Sequence, residues 1–194
     1  MQRKTVLTWL RVLSLIGVYG GLLMPLVFIP VVIFPFVFSK LIVFQILIGL
    51  TFPAYLLLAY MEPQYRLPKH VLLGVISAYF VALLLSVLFA VDPARAWWGN
   101  QERMNGLFTL LHFFAWLLMA VGMLRTEKAW LKLLRYEVVL SVIMATVAIL
   151  QRPFPSLLLF KASERVGGLL DNPIYMAAYQ IFNLFFILYL WTKT

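Results

Sequence analysis

Apolar stretches, each near the length of a bilayer's hydrocarbon core, follow one another along the chain, and the charges are confined to the short gaps between them. A core about 30 Å thick takes roughly 20 helical residues to cross. Inside it every backbone N–H and C=O needs a partner, which a helix supplies from its own segment. Strands of about 10 residues with alternating polarity, the mark of a membrane β-barrel, are absent. The expected fold is therefore all-α, a polytopic transmembrane helical bundle of about six spans. They fall near residues 12–34, 41–60, 71–91, 106–124, 133–150 and 175–190, as a single domain over 1–194. Charged residues make up 12% of the chain, against about 25% in a soluble domain, too few to cover a water-facing surface.

The net charge of +9 raises the question of nucleic acid. The cations sit beside the spans and not on one solvated face, so membrane orientation accounts for the excess and no nucleic-acid partner is expected. The chain has no cysteine, hence no disulfide and no thiolate metal site. Met1-Gln2-Arg3-Lys4 resembles the basic start of a signal peptide, but Arg11 interrupts the run and no small-residue cleavage site follows, so an uncleaved first span is expected. Pro25 and Pro30 should kink or break that span, Pro53 and Gly49 should disturb the second more mildly, and residues 35–40 should form a tight turn.

One side of the membrane collects Arg3, Lys4, Arg11, Arg66, Lys69, Arg125, Lys128, Lys132, Arg135 and Lys193. The other holds Lys40, Arg95, Arg103, Arg152, Lys161 and Arg165. The positive-inside rule makes the first side cytoplasmic, with both termini there. Trp130 and Trp191 then anchor the inner interface, and Trp97 and Trp98 the outer one. The two longer connections, 92–105 and 152–174, face outward, which places the chain in a membrane with its functional loops extracytoplasmic.

Arginine on the outer side runs against that charge rule. A guanidinium offers a planar fork of donors that suits phosphate or carboxylate. For Arg95 and Arg103 the plain alternative is pairing with Asp92 and Glu102, which would tie the loop down. In the second loop, Arg165 precedes Gly167-Gly168, where the backbone can take positive φ and approach an anion closely. Asn172-Pro173 reads as a helix cap followed by proline in the first turn. Residues 155–160 are short and apolar and are expected at the interface. His112, inside the fourth span, is expected to bond across to another helix, and Gln180 and Asn183 share a helix face suited to interhelical hydrogen bonds. Glu137 falls near the inner boundary of the fifth span. No Walker loop, dinucleotide fingerprint, paired-histidine zinc motif or nucleophile elbow is present, so no cofactor and no metal are expected.

Trp98-Gly99-Asn100, then Glu102-Arg103-Met104 and Gly106, with His112 in the span behind, resemble the amino-terminal half of bacterial O-antigen ligase and O-antigen polymerase family proteins. Arg165, Gly167-Gly168, Asn172-Pro173, Ala177-Ala178 and Tyr179 are similar to the arginine–glycine–Asn-Pro segment that precedes a span in that family. The resemblance covers the chain from about residue 35 to 179. It implies a GT-C type membrane glycosyltransferase of the bacterial inner membrane, which moves a glycan from an undecaprenyl pyrophosphate carrier to an acceptor without metal or nucleotide. In cell-envelope polysaccharide (O-antigen) biosynthesis that acceptor is a lipid or a glycan. Arg165 and then Arg103 carry over as pyrophosphate-binding residues, supported by Gly167, Gly168 and Asn172. The family has about twice as many spans, and a large periplasmic loop in its second half bears the general-base histidine. No such loop occurs here and His112 does not match that position, so no catalytic residue is assigned. The chain is expected to be a fragment, inactive without a carboxy-terminal half. A small transporter or channel, or a non-catalytic membrane scaffold, stands as the alternative.

Overall fold

The computed structural model of the chain describes residues 2–100, 103–154 and 165–193. All regular elements among them are helical. In chain order they are α1 (Gln2–Leu22), α2 (Phe38–Met61), α3 (Val71–Leu88), α4 (Pro93–Trp98), α5 (Leu107–Met123), α6 (Glu127–Gln151) and α7 (Pro173–Trp191), with short 3-10 turns at Met24–Leu26, Pro63–Tyr65 and Gly168–Leu170. Five of these, α1, α2, α3, α6 and α7, are long and apolar enough to cross a membrane. The sixth apolar helix, α5, has 17 residues and a length of about 26 Å.

The first helix lies earlier than its apolar composition indicated. It ends at Leu22, and the chain turns through a 3-10 segment that contains Pro25. Proline lacks an N–H and disfavours helical backbone in the residue before it, so the helix stops short of Pro25. Residues 27–37 are not helical, and the apolar run of 12–34 is split between α1 and an irregular connection. Arg3, Lys4 and Arg11 are all exposed on α1, where long stems let the charged heads reach water. Pro53 lies on an exposed position inside α2 without ending the helix, in keeping with the milder effect expected of it.

The described chain forms two compact units. In the unit of Met1–Gly21 and Leu41–Arg125, small residues admit bulky partners. Gly122 leaves room for the Tyr55 ring, whose hydroxyl donates to the Tyr65 carbonyl at 3.1 Å. Trp116 packs on Gly21 and its indole N–H donates to the Val18 carbonyl at 3.1 Å. Phe80 of α3 stacks on Phe114 of α5 with ring centres 4.3 Å apart. α3 is otherwise apolar all round with no buried residue, a surface that only hydrocarbon solvates favourably.

In the unit of Leu22–Lys40 and Thr126–Thr194, α6 and α7 pack together beside the 3-10 turns at Met24–Leu26 and Gly168–Leu170. Met144, Ala148 and Met176 form its core, covered by Leu26, Val166, Leu169, Leu170 and Tyr179. Thr126 caps α6 by accepting from the Ala129 N–H, and Lys193 pairs with Glu127 at 2.6 Å. The register of α6 on α7 is set by a reciprocal pair. Ser141 Oγ donates to Gln180 Oε1 at 2.9 Å, and Gln180 Nε2 donates to the Ser141 carbonyl at 3.1 Å.

Candidate functional site

The connection from α3 to α5 is a closed, hydrogen-bonded structure. Asp92 caps α4, its Oδ1 accepting from the Arg95 N–H at 2.9 Å, and Pro93 fills the first turn. The carboxylate is thus spent on backbone, and among the described residues no ion pair joins Asp92 to Arg95. The other expected partner, Glu102, lies outside the described residues. After α4 the chain reverses at Gly99, whose φ of +81° suits glycine alone. There it meets Gly106 backbone to backbone: a Cβ on Gly99 would fall 2.6 Å from the Gly106 nitrogen.

Arg103 sits at the tip of this closure. Asn100 holds the turn beneath it, Oδ1 accepting from the Arg103 N–H at 2.8 Å and the carbonyl accepting from Met104 N–H at 2.8 Å. The Met104 carbonyl accepts from Thr109 Oγ1, and buried Gln45 on α2 donates to that same Oγ1 at 2.9 Å. A chain of bonds therefore runs from inside the unit to the backbone beside Arg103, while the Arg103 side chain is exposed. Trp98, Phe108 and His112 meet in sequence with tilted rings, their centroids 5.0 Å and 4.5 Å apart. His112 Nδ1–H donates to the Phe108 carbonyl of its own helix at 2.8 Å, not across to another helix. That bond and the flanking ring give His112 a positioning task inside α5.

In the other unit, Arg165, Gly167, Gly168 and Asn172 lie along one short segment ahead of α7. Arg165 is exposed and both glycines are buried. Only Gly168 takes positive φ, at +56°, and its N–H donates to Gln151 Oε1 of α6 at 3.0 Å. Gly167 has ordinary φ, but a Cβ there would strike the backbone of Asp171. The double glycine is thus engaged in closing its own turn. Asn172 and Pro173 match expectation: Asn172 Oδ1 accepts from the Ile174 N–H at 2.8 Å with proline in the first turn. Asp171, left-handed at φ 61°, has its carboxyl held above the usual range by partial burial. Residues 155–160 and Lys161 lie outside the described residues.

The structure also brings together three residues that spacing did not connect. Glu137 on α6 is faced by Tyr179 and Asn183 on α7. It packs against Asn183, near the middle of the 19-residue α7. Burial is deep, with Glu137 9% and Asn183 2% exposed. Glu137 Oε2, Tyr179 Oη and Asn183 Oδ1 are all without a hydrogen-bond partner. A carboxyl counted from the start of its own apolar run looks peripheral, and only the register against α7 reveals its burial and its partners. The signal in sequence was Asn183, polar at the centre of a span.

Several long apolar helices, one of them without a single fully buried residue, define a multi-pass membrane protein. No protein-family model, no curated protein and no solved structure matches the chain.

Proposed function

We propose that the chain is the donor-binding portion of a bacterial glycan-transferring membrane protein of the O-antigen ligase and polymerase type. In this reading it has six spans, with α5 as the fourth, and both termini are cytoplasmic. The connections 92–106 and 152–172 face away from the cytoplasm in the inner membrane. Their arginines hold the pyrophosphate of an undecaprenyl-linked glycan, and the transfer serves cell-envelope polysaccharide assembly. The observation that carries the reading is Arg103: its side chain is exposed while its backbone is fixed through Asn100, Thr109 and Gln45. A guanidinium whose own backbone is already hydrogen-bonded meets an anion at a lower ordering cost. At a leaving pyrophosphate, such a group stabilises the charge that develops as the glycosidic bond breaks.

Arg165, exposed ahead of α7, is the second donor group in this reading. Gly167, Gly168 and Asn172 support it through the turn and the helix cap, not by touching the ligand. Binding of undecaprenyl pyrophosphate to the chain in nanodiscs tests the assignment. Arg103→Ala is expected to weaken binding roughly 10- to 100-fold, the worth of a charge-assisted hydrogen bond. Unchanged binding in both Arg103→Ala and Arg165→Ala would remove the basis of the assignment.

A second reading has its own observation. Buried carboxyls within membrane spans mark ion-coupled transporters, and Glu137 is buried on the long apolar helix α6. Solute flux driven by a cation gradient in reconstituted vesicles would favour transport over glycan transfer.

A further inference from the structure

We infer that Glu137, Tyr179 and Asn183 form a buried site for one positive charge, filled by a proton or by a monovalent alkali cation. Glu137 and Asn183 are each more than nine-tenths buried, and the three residues contribute one orphaned oxygen apiece. One amide hydrogen of Asn183 is committed, Nδ2 donating to the Tyr179 carbonyl at 3.0 Å, and the other is free to face Glu137. The Tyr179 hydroxyl and the remaining Asn183 N–H are neutral donors facing Glu137, so what the cluster lacks is a positive charge. The placement is no accident of a loose side chain. The reciprocal Ser141–Gln180 pair locks α6 against α7 one turn away, and that register delivers Glu137 to Asn183.

No counter-charge pairs with Glu137 among the described residues. The helix α7 contains no cation, and Lys193 beyond its end is taken by Glu127. The 3-10 turns at Met24–Leu26 and Gly168–Leu170, which pack against α6, contain no ionisable residue. Tyr136 on α6 and Tyr179 on α7 are the titratable neighbours, and the nearest base in the chain, Arg135, is exposed. An uncompensated carboxylate this buried is strongly disfavoured. A proton on Glu137 removes the charge and gives one O–H to a neighbouring oxygen, whereas an alkali cation takes all three oxygens as ligands. The site is independent of the glycan reading, since it shares no residue with the arginine-bearing connections.

The test uses the full chain in nanodiscs, at pH 7 and again at higher pH. Wild type, Glu137→Gln and Asn183→Ala are compared in sodium, in potassium and in N-methylglucamine buffers. A proton occupant gives wild type a protonated-carboxyl stretch in the infrared that Glu137→Gln lacks, and thermal stability indifferent to the cation. An alkali occupant gives no such band, but sodium or potassium raises the wild-type unfolding midpoint by about 5 °C relative to N-methylglucamine. Asn183→Ala moves the band in the first case and shrinks the cation effect in the second. Wild type is itself decisive should a variant fail to fold. An ionised Glu137 with no cation dependence, indistinguishable from Glu137→Gln where that variant folds, overturns the site.

Discussion

The two arginine-bearing connections use the same residue types to different ends. Between α3 and α5, Gly99 and Gly106 bring two backbone strands into direct contact, and the closure leaves Arg103 exposed at its tip. Ahead of α7, Gly167 and Gly168 are buried, and the Gly168 N–H is consumed by Gln151. An arginine beside a glycine pair is thus no evidence by itself for a backbone anion cradle. In both connections the glycines serve closure, and ligand chemistry falls to the guanidinium groups.

The sharpest way to break this comparison is Gly106→Ala. The new Cβ would overlap the backbone at Trp97 and Gly99, and neither can yield as a side chain does. A loss of roughly 3–5 kcal/mol, at the upper end for single substitutions, is expected in thermal unfolding of the detergent-solubilised protein. A tolerated alanine would show that the closure is not tight. Gln151→Leu comes next, since it orphans the partly buried Gly168 N–H at a cost of about 1–3 kcal/mol. The same measurement should leave Arg103→Ala within about 0.5 kcal/mol of wild type, as for an exposed side chain off the core. That last contrast separates a binding residue from a structural one. Arg103 should matter to ligand and not to stability, and Gln151 the reverse.

Much of the helical content was legible in the apolar runs, because hydrocarbon demands long segments with internal hydrogen bonding. The start of α7 was legible to the residue, because the Asn172 cap and Pro173 are local signals. The first helix was legible only in part. Its break at Pro25 was signalled by the proline, but its start at Gln2 was not, because hydropathy discounts the charged Arg3, Lys4 and Arg11 that α1 includes. The Asp92 cap was also misread as half of an ion pair: a short helix over 93–98 is too brief to show periodicity, and without it the carboxylate has no cap to make. Glu137 shows the deeper limit. Its burial is set by the register of neighbouring helices, and that register depends on Ser141 meeting Gln180, a pairing 39 residues apart.

The absence of cysteine makes the central claim directly measurable, since one introduced thiol reports alone. Asn105 is exposed in the α3–α5 connection, so Asn105→Cys reports the arginine-bearing face. Its labelling by a membrane-impermeant maleimide is to be measured in right-side-out vesicles, with and without undecaprenyl pyrophosphate. The account predicts labelling in intact vesicles that slows when the lipid pyrophosphate is present. Labelling only after permeabilisation, or at a rate indifferent to the lipid, would contradict it.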